Sequence, residues 1–510
     1  MKKSILAVII LCFVFAGRSV HGQGSAEKPG AMSDKYWQLW NPQVQARIDS
    51  DIDKNRKAEA TVMLKGVPAG TEVKVEQLTH DFFFGANIFN FNQLGTRARN
   101  DRYKELFGTL FNSATVPFYW KTFEMQPNRL RFREEYWDTE DYWNNVDSPK
   151  TQPHWRRPAP DPIVAYLERR DVRIHGHNMI WGNTRWQRPD WLFDQLCPET
   201  EKAAILQLGG LKAFAKLSPA KMAEIAPQYA KILKAQFQKR VIGLADHYGG
   251  RIQSWDVVNE SAHDYHGEVV TGDAYYNHSV YEVMPGDYIY NAFKTAAAHL
   301  PDKVKININD YANDLNYANQ VKDLIAHGCK IDIMGSQMHL FKPQQCLDIA
   351  AGKDIETPER IWHQMDTLAL AGLPIHVSEI TITAPGDDGH GRAIQATIAR
   401  NLYRLWFSIK PIVGITWWNV VDDCGAPGEP TTSGLFTRNM EPKPSYFALN
   451  DLINKEWKTK LQTKVGKNGV VKFRGFKGRY LLSWKNAFGE LQQAQFYLKN
   501  DGDGLEAVAR

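Results

Sequence analysis

Two glutamates in this chain sit at the ends of apolar runs. The stretch GRIQSWDVVNESAHDY, residues 250–265, runs out into Asn259-Glu260, and LPIHVSEI, residues 373–380, carries Ser378-Glu379. One carboxylate ending a buried strand usually marks where the strand meets solvent. Two in similar settings, among polar and aromatic neighbours, imply a pair that works together. Glycoside hydrolysis needs such a pair: one carboxylic acid protonates the departing oxygen, and one carboxylate attacks or steadies positive charge. Burial and mutual repulsion divide the two pKa values between those roles. Other run ends suit the same task. Lys121 follows SATVPFYW, and His177 and Trp181 lie in VRIHGHNMIW. Asn309, Asp310 and Tyr311 end VKININDY, and Gln337 and His339 lie in IDIMGSQMHL. Trp417, Trp418 and Asn419 end PIVGITWW. Amides and imidazoles can hold sugar hydroxyls, and aromatic faces pack on the C–H faces of sugar rings.

These residues need a scaffold that gathers run ends. Eight short apolar runs lie between residues 82 and 418. Helix-length stretches with apolar residues at i, i+3 and i+4 separate most of them, such as YAKILKAQFQKRVIGLADHY and RAIQATIARNLYRLWFSI. The alternation predicts an α/β chain folded as a (β/α)8 TIM barrel with large loop insertions, whose strand C-termini carry function. An open doubly wound sheet is the alternative, but no Gly-rich phosphate loop follows an early strand. Residues 24–42 read as an exposed lead-in. KAEATVMLKGVPAGTEVKVEQLTH and, at the other end, GVVKFRGFKGRYLLSW and LQQAQFYLKN read as short strands. Neither end has enough strands for a stable sheet alone. They are expected to meet in one small antiparallel β-domain, with Phe473, Phe476, Tyr480 and Trp484 as its core. The expected division is a signal peptide at 1–22, a lead-in with β-strands at 23–79, the barrel at 80–455 and a β-strand segment at 456–510.

The opening MKKSILAVIILCFVFAGRSVHGQ has two lysines, an apolar stretch and a small-residue site near Gly22. It reads as a cleavable secretory signal, so the chain is expected outside the cytoplasm, secreted or periplasmic. No other segment is long and apolar enough to span a membrane. The net charge of +5 without a basic run argues against a nucleic-acid partner. The remaining cysteines, Cys197, Cys329, Cys346 and Cys424, have no CxxC spacing, which argues against zinc; export leaves a single bridge open, and the sequence does not pair them. His175 and His177 form an HxH on one strand face, a spacing shared with metal-dependent barrel hydrolases. Such metal sites place it near the first strand with further ligands, so neither metal nor cofactor is expected. His263, Asp264 and His266 read as a polar loop lining the leaving-group side.

The motifs WDVVNE (255–260), GHNMIW (176–181), NINDY (307–311), GSQMHL (335–340), HVSEI (376–380) and PKPSYFAL (442–449) resemble glycoside hydrolase family 10 over about residues 80–455. That family contains retaining endo-β-1,4-xylanases on a (β/α)8 barrel. The resemblance implies Glu260 as general acid/base and Glu379 as nucleophile. It implies that Asn259 meets the sugar 2-hydroxyl, that His339 bonds the nucleophile with Gln337 beside it, and that His177 and Trp181 line the same subsite. Lys121 would lie further out on the glycone side, Trp418 would floor the cleft, and Tyr311 would touch the leaving-group side. Three departures stand out. Pro117 and Phe118 replace a Glu-Asn pair that holds the next glycone sugar. Thr381 replaces an Asp that supports the His beside the nucleophile. Trp181-Gly182 replaces Trp-His, and a second cleft Trp is replaced around DDCGAPGEP. The catalytic pair survives while the subsites are rebuilt. The expected substrate is therefore xylan or a related decorated β-glycan. The alternatives are the same chemistry on another plant or algal polysaccharide, or a non-catalytic glycan-binding barrel.

Overall fold

A computed structural model describes residues 30–146, 148–504 and 506–508. The expected signal segment lies outside them. Two strands, β1 (Lys57–Lys65) and β2 (Glu72–His80), precede the barrel. The barrel strands are β3 (Phe83–Asn87), β4 (Ser113–Pro117), β5 (Arg173–Trp181) and β6 (Ser254–Asn259). They continue as β7 (Lys305–Asp310), β8 (Ile333–Leu340), β9 (Ile375–Ile382) and β10 (Ile412–Trp417). All eight run parallel, and pairing of β10 with β3 closes the sheet. Every residue of β6 and β9 is buried, polar ones such as Asp256 and His376 included, because a barrel strand has helices over one face and the filled barrel interior under the other. The helix Gly389–Ser408 buries Ile394, Ile398, Leu402 and Leu405, the stripe that its sequence spacing predicts.

The ends of the chain meet as expected, but in two sheets rather than one. Beyond the barrel lie β11 (Lys460–Lys464), β12 (Val470–Phe476), β13 (Gly478–Lys485), β14 (Leu491–Leu498) and β15 (Glu506–Val508). One sheet has the order β12-β1-β15 and the other β11-β2-β13-β14. Pairing is antiparallel except between β1 and β15. The sheets share an apolar core to which Val62, Val75, Phe473, Tyr480 and Trp484 contribute. Phe476 turns instead to the barrel's own core, near Phe407, on which Trp457 stacks at 4.1 Å.

The described part of the lead-in, residues 30–42, packs on the barrel instead of standing exposed. It forms the helix Asp34–Leu39 and leads into the helix Pro42–Arg56, and Tyr36, Trp40, Ile48 and Ile52 are buried. Asn401 on the helix Gly389–Ser408 donates to the Tyr36 hydroxyl at 2.7 Å, and Asn55 donates to the Ser408 carbonyl at 2.8 Å. The second helix starts where Asn41 caps it, accepting from the Val44 N–H at 3.0 Å with Pro42 at its first position. Its buried face is only the narrow Ile48–Ile52 step of one turn, a weak signal among charged neighbours. All four cysteines named above are free thiols, and all are buried. No helix among the described residues is long and apolar enough to cross a membrane.

Candidate active site

Strand β6 ends at Asn259, and the next residue, Glu260, has φ +53°. A non-glycine residue in the left-handed region costs on the order of 1 kcal/mol or more, and such strain collects at functional sites. Hydrogen bonds hold this turn. The Glu260 N–H donates to the Asn309 carbonyl at 2.7 Å, and the Ala262 N–H donates to Asp310 Oδ2 at 2.8 Å. Three donors fix the Glu260 carboxyl. Trp181 Nε1 reaches Oε2 at 2.9 Å, the Tyr281 hydroxyl reaches the same oxygen at 2.7 Å, and Gln337 Nε2 reaches Oε1 at 3.2 Å. Burial pushes the Glu260 pKa above the ordinary value; the Tyr281 bond works against that, and the charge of Glu379 adds to it.

Glu379 lies on β9, one strand beyond β8, and is 5% exposed. Asn309 Nδ2 donates to its Oε1 at 2.7 Å, and His339 Nε2 lies 3.1 Å from Oε2. A chain of amides links the two glutamates. Gln337 contacts Glu260 and, at 3.4 Å, Asn259 Oδ1; Asn309 Nδ2 donates to Asn259 Oδ1 at 2.8 Å as well as to Glu379. Gly335 makes room for this crossing, since a Cβ there would stand 2.2 Å from Asn309 Oδ1. The sequence places Asn309 at a strand end but gives no hint that it holds Glu379.

Thr381 keeps part of the task expected of an Asp. Its hydroxyl lies 2.9 Å from His339 Nδ1, so it orients the ring without adding a charge. The HxH pair is not arranged for a metal. His175 Nε2 and His177 Nδ1 both meet Asp256 Oδ2, at 2.9 and 2.8 Å, and His175 Nδ1 meets Ser254 Oγ. Burial disfavours charge on His177, yet its bond to Asp256 and the nearby Glu379 outweigh this and raise its pKa. Burial likewise opposes charge on Asp256, but the two histidines hold its carboxyl well below the usual range.

A cavity of about 670 Å³ opens over these groups and includes both glutamates in its wall. His177, Trp181, Asn259, Tyr311, Gln337, His339 and Trp418 all face it, as the sequence reading groups them. Adjacent tryptophans divide: Trp418 faces the cavity while Trp417 is fully buried and donates to the Asn419 carbonyl at 2.9 Å. Lys121 is not brought there. It sits on the short helix Trp120–Phe123, where Nζ donates to Asp190 Oδ1 at 2.8 Å and to the Thr184 carbonyl at 3.3 Å. The replaced wall also differs from expectation. Phe118 is core, packed on Trp255 and Tyr248, and Tyr119 meets the cavity in its place.

The Trp181-Gly182 departure has a physical partner that the sequence does not flag. A Cβ at Gly182 would stand 2.4 Å from the Tyr281 ring, so the missing side chain admits Tyr281 to Glu260. Asp264 anchors the segment that delivers it, accepting from Ser279 Oγ, from the Val280 N–H at 2.9 Å and from the Tyr288 hydroxyl at 2.7 Å. Asp264 is thus a buried loop anchor rather than a cavity-lining group, while His263 packs beside Tyr311 with ring centroids 5.3 Å apart.

The chain is 25% identical over 347 residues to "Endo-1,4-beta-xylanase B" of Thermotoga neapolitana, covering 64% of this chain and 85% of that protein. It is 27% identical over 435 residues to "Endo-1,4-beta-xylanase A" of Thermotoga maritima, covering 81% of this chain but only 34% of that longer relative. The crystal structure of native xylanase 10B from Thermotoga maritima superposes with a TM-score of 0.48 at 19% identity, covering 74% of this chain and 96% of that one. The profile of Glycosyl hydrolase family 10 matches residues 80–452, from the last residue of β2 through the helix that follows the barrel, and the chain therefore belongs to that family of glycoside hydrolases.

Proposed function

We propose that this hydrolase cleaves internal bonds of β-1,4-xylan or a related decorated β-glycan, with retention, by double displacement. The observation that carries the reading is the placement of Glu260 and Glu379 on one cavity, joined by the Gln337–Asn259–Asn309 chain but held differently. Glu260, whose pKa burial raises, is suited to give a proton. Glu379, acceptor of the Asn309 N–H and beside His339, is held to attack. In the first step a Glu379 oxygen bonds to the anomeric carbon as the glycosidic bond breaks, and the Glu260 proton goes to the leaving oxygen. In the second, water bonds to that carbon, the ester to Glu379 breaks, and Glu260 recovers a proton from the water. Asn259 Oδ1 is taken by neighbouring amides, which leaves its Nδ2 to donate to a sugar hydroxyl. Trp181 and Trp418 offer ring faces in the same cavity. The relatives named as xylanases support xylan as the polymer.

A different backbone sugar is the second reading, favoured by the withdrawal of Lys121 and the intrusion of Tyr119. Product release from xylan, arabino- and glucuronoxylans, mixed-linkage glucan and algal galactans, by wild type and by Glu379→Ala, tests both. Xylan oligosaccharides that vanish with the variant support the first reading. Products from another polymer alone keep the mechanism and transfer the substrate.

A further inference from the structure

We infer that Arg157 reads an anionic substituent on the glycan, a uronate carboxylate or a sulfate ester. This rests on the hydrolase reading above and specifies its substrate. Arg157 faces the same cavity as the two glutamates and is 8% exposed. Its guanidinium lies over two aromatic rings, 4.8 Å from the Phe89 centroid and 5.2 Å from that of Trp155.

The contrast with the other buried arginines is what singles it out. Arg131 donates to Asp138 at 2.8 Å, and Arg156 to Asp138 at 2.9 Å and Glu135 at 2.8 Å. Arg188 donates to Glu282 and to the Val283 carbonyl, and Arg240 to the carbonyls of Met179 and Asn178. The Arg157 guanidinium meets no carboxylate within ion-pair distance and no hydrogen-bond acceptor among the described residues. Ring faces attract its charge but accept none of its N–H groups in the way an oxygen does. A mostly buried arginine on a cavity wall, whose guanidinium has no oxygen partner among the described residues, is a site for a two-oxygen anion.

The surroundings hold the fork in place. Arg157 lies just before the helix Pro160–Arg169, and Arg131 donates to its backbone carbonyl at 2.8 Å while Arg156 next to it is locked by Asp138. Gln93 donates to the Arg156 carbonyl at 2.9 Å, and Lys150 donates to Asp423 at 2.6 Å. Glu429, another cavity carboxylate, accepts from the Asn419 amide at 3.1 Å and the Ala426 N–H at 2.7 Å, both through Oε2. Phe89, beneath Arg157, packs edge-on against Trp418 at 5.1 Å and Tyr119 at 5.8 Å. The anion would therefore ride on a sugar on the β3–β4–β10 side of the cavity.

The test uses matched pairs: a xylo-oligosaccharide with one glucuronosyl branch against its carboxyl-reduced twin, and a sulfated β-glycan oligosaccharide against its desulfated twin. Hydrolysis is read as kcat/KM, and binding by calorimetry in the Glu379→Gln protein. Wild type should favour one acidic member at least tenfold, with a preference that shrinks as salt rises. Arg157→Gln should lower the acidic member at least tenfold more than its neutral twin, and Arg157→Lys should recover part of the difference. Which pair shows the preference identifies the anion. Equal handling of both twins by wild type, or equal losses on both in Arg157→Gln, overturns the inference and leaves the hydrolase intact. The wild-type comparison needs no variant to fold. Failure to bind or cleave either pair removes the reading of xylan or a related β-glycan as substrate, and this inference with it.

Discussion

The floor and the wall of the cavity are built by different rules. The floor consists of side chains at the ends of β5–β9, each held by a group on the next strand or the next but one: Trp181 to Glu260 and Thr381 to His339 between adjacent strands, Gln337 to Glu260 and Asn309 to Glu379 across an intervening strand. The wall on the β3–β4 side comes from segments outside the strands. Tyr119 enters just before a single helical turn, and Trp155 and Arg157 arrive just before the helix Pro160–Arg169. Strand ends in a closed barrel have fixed spacing, so reactive groups placed there keep their geometry while loops change. The chemistry is thereby separated from the choice of sugar.

The largest effects should fall on the floor. Glu379→Gln should cost on the order of 10⁴-fold or more in kcat, as loss of a nucleophile does elsewhere. Glu260→Gln should cost about 10²- to 10⁴-fold on a natural glycan, the range of a lost general acid. A nitrophenyl glycoside separates the two, because nitrophenolate departs without a proton. On it Glu260→Gln should regain most of the first step, visible as a burst of phenolate, whereas Glu379→Gln should not. A burst in the Glu379 variant instead would reverse the assigned roles.

Next comes Tyr281, which belongs to the floor by function and to a loop by position. It donates to the ionised form of Glu260 and so holds the Glu260 pKa down against burial. Tyr281→Phe removes that donor, so the Glu260 pKa rises further. In the proposed mechanism Glu260 must be protonated for the first step, so its proton loss would set the alkaline limb of kcat/KM. The limb should move to higher pH, and kcat should fall about tenfold, the scale of one charge-assisted hydrogen bond of about 1.5 kcal/mol. Gly182→Ala should push Tyr281 aside and copy this profile. An unchanged alkaline limb in both variants would make Tyr281 a packing residue only.

The same division explains what could be read from sequence. Glu260, Glu379, Gln337 and His339 were legible because each follows or interrupts an apolar run, and the runs mark strands. Asn309 was visible as a strand end, but its partner on β9 depends on strand neighbours that only the closed sheet supplies. Tyr281 and Arg157 lie in loops without periodicity, so nothing in their spacing marks them. Their signal is indirect: a glycine where a side chain is expected at 182, and a basic pair at 156–157 between Trp155 and Pro158. The lead-in helices were missed for a related reason, since only a short Ile48–Ile52 step faces inward.

The smallest effect should be at Lys121, and it bears most directly on the wall. Resemblance carried the identity of this residue to a glycone role but could not carry the path of the chain. Here the backbone turns into the helix Trp120–Phe123, and Lys121 points to Asp190 and the Thr184 carbonyl. The Lys121 and Asp190 side chains are 31% and 71% exposed, so their pair should contribute roughly 0–1 kcal/mol to stability. Lys121→Met should therefore change kcat/KM on the preferred glycan by less than about threefold and shift the melting temperature little. A loss above tenfold, about 1.4 kcal/mol of transition-state binding, would mean that Lys121 leaves Asp190 when substrate enters. Asp190→Asn distinguishes that case. Releasing the lysine should then raise affinity for the glycan, whereas a lysine with no part in the cleft leaves affinity as it was. The wall would be inherited in the first outcome and rebuilt in the second.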